Sequence, residues 1–193
     1  MLRRLYDWTM ALAGHRHAMW ALAAVAFAES SFFPIPPDVL IIPMVLAARE
    51  KAWRIALVAT LASAAGGLAG YAIGAGLYES VGQAIIQFYG LATKYQEFSH
   101  LYNEWGAWIV AAAGFTPIPY KVFTIASGAT GLDIWVFTIA SVLSRGARFF
   151  LVAALLWQFG PPIRDFIERH LPILTAAFFV FLFGGFLVLK YLV

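Results

Sequence analysis

Apolar residues run along this chain in blocks of bilayer-spanning length, and two of the blocks are broken by clustered prolines. Residues 18–48 are apolar except for a break at Pro34, Pro36 and Pro37, with Glu29 and Asp38 on either side of it. A simple transmembrane helix does not carry three such prolines beside two carboxylates, because each proline removes a backbone donor and clashes with the preceding turn. Broken backbone at membrane depth is tolerated only where protein buries it or water reaches it. The pattern therefore predicts half-helices over 18–33 and 38–48, forming a re-entrant hairpin. Residues 52–78 predict an unbroken apolar span. Residues 79–105 are the most polar stretch, with Glu79, Lys94, Glu97 and Glu104, and predict one or two short amphipathic helices. Residues 106–130 are apolar again and broken at Pro117 and Pro119, predicting a second re-entrant hairpin. Residues 133–158 predict a span with Arg145 and Arg148 near its middle. After a short polar connector, residues 171–192 predict a final span free of mid-membrane charge.

Composition agrees with this reading. Of 193 residues, 62% are hydrophobic and 12% charged, against roughly a quarter charged in soluble domains. So few charges cannot cover a soluble surface of this size. The expected fold is an all-α integral membrane protein in one domain, 1–193. It has two Pro-broken re-entrant hairpins, three full transmembrane helices and an amphipathic N-terminal helix. Residues 2–16 make that helix, with Leu5, Trp8 and Leu12 facing one way along the interface. Asp7 interrupts the first apolar stretch and no small-residue cleavage site follows, so the segment is expected to be retained. Basic residues set the orientation. With the N-terminus cytoplasmic, Arg3, Arg4, Arg16, Arg49, Lys51, Arg54, Arg164 and Arg169 all fall inside, and only Lys94 and Lys190 fall outside.

The two broken segments also match each other. Residues 33–42 (Phe-Pro-Ile-Pro-Pro-Asp-Val-Leu-Ile-Ile) align without gaps with residues 116–125 (Thr-Pro-Ile-Pro-Tyr-Lys-Val-Phe-Thr-Ile), and five of ten positions are identical. Each segment precedes a full span, and the two enter from opposite sides. That is the pattern of an inverted-topology repeat, which places discontinuous helices tip to tip near the bilayer midplane.

Five ionisable residues fall inside the apolar blocks: Glu29, Asp38, Lys121, Arg145 and Arg148. Each costs about 2.5–3.5 kcal/mol at a helix centre on insertion scales, so they must meet each other, water or a ligand. The repeat sets Asp38 opposite Lys121. Arg145 and Arg148, three apart, share a helix face, and Glu29 is placed to pair with one of them. The formal excess of +1 and the two arginines suit a phosphate-like anion, bound by Lys121, Arg145 and Arg148. Glu29 and Asp38 are candidates for ion pairing or proton relay; burial raises a carboxyl pKa and a neighbouring cation lowers it.

Other chemistry is thin. The absence of cysteine excludes disulfides and thiolate sites. His15 and His17 stand beside Arg16 and read as a basic interfacial segment, so no metal or cofactor is expected. Ser30 and Ser31 lie near Glu29 without a histidine or lysine base close in sequence, so no enzyme is expected. The net charge of +3 gives no reason to invoke nucleic acid, because the basic residues flank apolar blocks. Gly66, Gly70 and Gly74 form a strip at four-residue spacing, suited to close packing within the chain or to a homo-oligomer.

The sequence Glu29-Ser-Ser-Phe-Phe-Pro-Ile-Pro-Pro-Asp38, the run Gly66-Gly-Leu-Ala-Gly-Tyr71, the segment Phe115-Thr-Pro-Ile-Pro-Tyr-Lys121 and the string Ser144-Arg-Gly-Ala-Arg-Phe149 together resemble the DedA family (the VTT-domain or SNARE-associated membrane proteins), particularly its short YqaA-like branch. The resemblance spans roughly residues 18–158. It implies paired re-entrant helices, a bacterial inner-membrane location and a role in membrane homeostasis. It further implies movement of phospholipids or undecaprenyl phosphate between leaflets, with dependence on proton-motive force. The residues it marks as functional are Glu29, Asp38, Lys121, Arg145 and Arg148. The chain departs from the more typical second motif, which has arginine before its proline and a Pro-Gly-x-Arg ending; here Ala113 or Gly114 and Pro119-Tyr120-Lys121 stand there. Rival expectations are a proton- or sodium-coupled antiporter of small ions and a non-transporting membrane scaffold.

Overall fold

A computed structural model describes residues 17–33, 35–116, 118–160 and 162. Among them every regular element is helical. The expected interfacial helix 2–16, the final span 171–192, and two of the break prolines, Pro34 and Pro117, lie outside the described residues.

Helix α1 (Ala18–Ser31) stops where the prolines begin, since a residue preceding proline is driven out of the α region. Its last turn closes with the N–H groups of Phe32 and Phe33 both donating to the Ala28 carbonyl, at 2.9 and 2.7 Å. Helix α2 (Asp38–Ala47) restarts directly after Pro37, with the Asp38 carboxylate in its first turn, where the helix dipole favours it. A 3-10 turn, Arg49–Lys51, leads into α3 (Ala52–Leu77). Helix α4 spans Ala92–Phe115, α5 spans Tyr120–Ala129, and α6 spans Ile134–Gly160.

The polar stretch departs from expectation. It is not a separate connector over 79–105. Its first part continues α3 through one π turn (Tyr78–Gly82) to Phe88, making one helix of 40 residues from Arg49. Its second part fuses with the first arm of the second broken segment as the 24-residue α4. The chain reverses at Gly90, φ +65°, where Leu91 N–H donates to Ile86 O and Gly90 N–H to Gln87 O. That left-handed glycine cap ends one helix and permits the next to start at once. Scattered glutamates do not break a helix, so a polarity count alone misplaces the boundary.

Large apolar side chains face outward as well as inward. Helix α3 turns Leu57, Leu61 and Leu77 outward and buries Thr60, Ser63, Gly66, Gly67, Gly70 and Gly74. The stretches Arg49–Phe88 and Ile134–Gly160 are each long and apolar enough to cross a membrane. Two apolar clusters form the interior. One holds Leu22, Ile41, Val45, Ile55, Phe149 and Leu156; the other holds Tyr102, Val110, Tyr120, Leu132, Phe137 and Ala140. On α3 and α6 the residues between them are polar, namely Ser63, Ser141, Ser144 and Arg145.

Glycine lets the helices close on this layer. A methyl group on Gly66 would stand 2.1 Å from the Phe27 carbonyl oxygen of α1, and one on Gly74 would stand 1.9 Å from the Ile125 carbonyl oxygen of α5. The strip therefore packs two neighbours of the same chain onto α3, one at each end.

Candidate functional site

Five helices deliver polar groups to the layer between the two clusters. Arg145 lies at its centre, 2% exposed. Its Nη2 donates to Glu29 Oε2 at 2.6 Å and its Nε to Ser63 Oγ at 2.7 Å. Ser63 and Ser30 share a hydrogen bond of 2.7 Å, and Ser30 Oγ donates to Glu29 Oε2 at 3.2 Å. One donor direction serves every group: Arg145 to Ser63, Ser63 to Ser30, Ser30 to the carboxylate. The guanidinium is also covered on its faces, 5.0 Å from the Tyr120 ring centroid and 4.6 Å from that of Phe149. Such stacking adds electrostatic attraction that grows when the site is dry. Tyr120 is itself buried and donates to Ser141 Oγ at 2.6 Å.

Arg148, one turn further along α6, is about one-fifth exposed. Its Nη2 donates to Asp38 Oδ2 and its Nη1 to the Thr116 carbonyl, both at 2.7 Å. Asp38 opens α2 after the first break, and Thr116 follows α4 at the second. One side chain thus ties both breaks. A second tie runs from Thr124 Oγ1 of α5 to the Ser30 carbonyl of α1, at 3.0 Å.

The expected pairing of Asp38 with Lys121 does not occur: Asp38 takes Arg148 instead. The repeat register placed Asp38 and Lys121 at equivalent positions, but equivalence by symmetry is not contact. Lys121 is partly buried at the start of α5, without an ion-pair partner among the described residues. The two carboxylates neutralise the two arginines, so the formal excess of +1 is located at Lys121. Ser63, Tyr120, Phe149 and the Thr116 carbonyl were not expected in the site. Ser63 had a legible signal, a hydroxyl on the same α3 face as Thr60, Gly66, Gly70 and Gly74. Phe149 had one too, four residues after Arg145 and so on the same helix face, whereas Tyr120 had none.

A family model described as the VTT domain matches residues 35–158. This chain belongs to the VTT-domain family. The match takes in Asp38, Lys121, Arg145 and Arg148, while Glu29 precedes it. The family is the DedA family named from the motifs, and with the outward apolar faces it makes the VTT-domain chain a membrane protein. An uncharacterised protein of Haemophilus influenzae is 41% identical over 168 residues, covering 85% of this chain and 87% of its own. An uncharacterised protein of Histophilus somni is 38% identical with the same coverage. One from Methanocaldococcus jannaschii is 28% identical over 137 residues, covering 70% of this chain and 82% of its own. No solved structure matches the VTT-domain chain.

Proposed function

We propose that this VTT-domain protein moves an anionic, phosphate-bearing lipid, such as a phospholipid or undecaprenyl phosphate, between the leaflets of the bacterial inner membrane. In this reading the N-terminus is cytoplasmic. The two broken segments are re-entrant hairpins of an inverted repeat, and they rock against α3 and α6 for alternating access. The observation that carries the reading is the arrangement of charge at the breaks. Two carboxylate–guanidinium pairs cancel, which leaves the partly exposed Arg148 at the breaks and, at the start of α5, Lys121 without an ion-pair partner among the described residues. Arg148 supplies the fork that fits a phosphate, and Lys121 adds a point charge.

The roles of the two arginines then differ. Arg145 has Nε and Nη2 committed and lies over the Tyr120 and Phe149 rings, so it holds Glu29 and the serine pair in place. Arg148 meets the headgroup by exchanging Asp38 for phosphate. The hydroxyl chain from Ser63 through Ser30 to Glu29 favours a proton-relay role for that carboxylate.

The test is lipid movement in proteoliposomes carrying fluorescent phosphatidic acid or a short polyprenyl phosphate, with the outer leaflet bleached over time. Arg148→Gln and Lys121→Gln are each expected to slow movement at least tenfold while the protein still runs as a folded species on gel filtration. Glu29→Gln is expected to remove the effect of an imposed proton gradient. Movement at the wild-type rate in both cation variants would overturn the reading. Proton-driven ion flux without lipid movement would replace it with the antiporter.

A further inference from the structure

A headgroup at Arg148 and Lys121 leaves the rest of the lipid to be placed, and α4 and α6 form a surface that fits it. The two helices meet where a methyl group on Gly114 would stand 2.1 Å from Ser144 Oγ. At the other end α4 meets the turn before α6, where a methyl on Gly106 would stand 2.3 Å from Leu132 Cδ1. Between these contacts, over about 12 Å of helix, α4 and α6 flank an open groove of about 650 Å³. Trp108, Ala111 and Phe115 line it from α4, and Trp135, Ile139 and Leu143 from α6.

The groove has two distinct ends. At one, Phe115 precedes Thr116, whose carbonyl is bound by Arg148, and Ser144 lies one turn before Arg148 on α6. At the other stand Trp108 and Trp135, each 72% exposed, of the residue type that collects at the membrane–water interface. The groove therefore runs from the charged layer to the interface on the Asp133 side. Asp133 itself caps α6 there, accepting from the Trp135 and Val136 N–H groups at 2.9 Å each.

We propose that this groove holds the hydrocarbon chain of the anionic lipid whose headgroup sits at Arg148 and Lys121. The proposal rests on the headgroup reading above. An apolar trough facing lipid is ordinary, but this one ends at Phe115 and Ser144, next to the partly exposed Arg148, so a molecule filling it is apolar along its length and suits an anionic tip. A linear hydrocarbon chain, narrower than a helix about 10 Å across, lies along such a trough. A lipid so placed has its headgroup at mid-depth and its chain in the half of the membrane on the Asp133 side. That is the posture of a lipid lifted from the leaflet on the Arg49 side.

The experiment uses the full chain in liposomes with two photoactivatable probes of identical acyl chains, each bearing a mid-chain diazirine: phosphatidic acid and uncharged diacylglycerol. Labelled residues are mapped by mass spectrometry. The phosphatidic acid probe is expected to label 107–115 and 135–143 at least fivefold more than diacylglycerol does. Ala111→Trp, which fills the groove, is expected to reduce that labelling to the diacylglycerol level. Ala111→Ser, which leaves the groove open, is expected to retain it. A third probe with the diazirine beside the phosphate reports the headgroup site separately, by labelling 116–122 and 145–149. Headgroup labelling with equal chain labelling by the two lipids would overturn the groove and leave the headgroup reading intact. Loss of headgroup labelling as well would overturn both. In this cysteine-free chain, oxidative disulfides joining Ala111→Cys to a cysteine introduced within 171–192, or to Ala111→Cys of a second copy, would overturn the groove by showing it already filled.

Discussion

Arg145→Ala is expected to destabilise the protein by roughly 3–5 kcal/mol, because it strands a buried carboxylate without its partner. The side chains of Arg145 and Glu29 are 3% and 13% exposed, and among the described residues the carboxylate keeps only the Ser30 hydroxyl once the guanidinium is gone. The serine pair also loses the donor that orients it. Unfolding in mixed micelles, followed by circular dichroism, measures the loss. Arg145→Lys is expected to recover little, since an ammonium lacks the planar fork that meets Ser63 and Glu29 and has no flat face to lie over Tyr120 and Phe149. Adding Glu29→Gln to Arg145→Ala is expected to restore part of the stability by removing the unpaired charge. Arg145→Ala as stable as wild type would mean that the pair is screened by water, and the division of roles between the two arginines would fail with it.

Gly74→Ala and Gly76→Ala are expected to move stability in opposite directions, although they lie two residues apart on one helix. A methyl at Gly74 would stand 1.9 Å from the Ile125 carbonyl oxygen, which is backbone and cannot swing aside. Helix α5 must retreat, at a cost of about 1–3 kcal/mol or more, and Lys121 and Thr124 move with it. At Gly76 nothing lies within 4 Å, so alanine there gains about 0.5–1 kcal/mol from the stiffer unfolded chain. The same unfolding measurement, with lipid movement assayed beside it, reads both. A neutral Gly74→Ala would show that α5 is not seated on α3 as closely as its backbone contact requires.

Much of this arrangement is written in residue spacing. The prolines at 34, 36, 37, 117 and 119 predict the breaks, and helices do stop at Ser31 and Phe115 and restart at Asp38 and Tyr120. The cost of isolated charge in lipid predicts that Glu29 finds an arginine, and Arg145 is that arginine. What spacing cannot carry is the choice among partners of like charge. Asp38 had Lys121 at its symmetry-related position and two arginines elsewhere; which one it meets depends on how α6 is rotated against α2. That rotation is set by buried contacts such as Gly114 on Ser144 and Phe149 in its cluster, not by local sequence. The polar stretch misleads for another reason. Glutamate and lysine are good helix formers, so the signal that separates α3 from α4 is the left-handed glycine at 90, not the charge around it.

Arg148 spans the gap between the two broken segments, with one nitrogen on Asp38 and another on the Thr116 carbonyl. It behaves as an interlock. Pulling the segments apart bares either the Asp38 carboxylate or the Thr116 carbonyl, and both groups are costly to leave without a partner at depth. If an anion is the traveller, it does not pass through an opening that stands ready for it. It must first take the carboxylate's place on Arg148, so transit and unlocking are one event, and small ions that bind too weakly to make that exchange are held back without a plug.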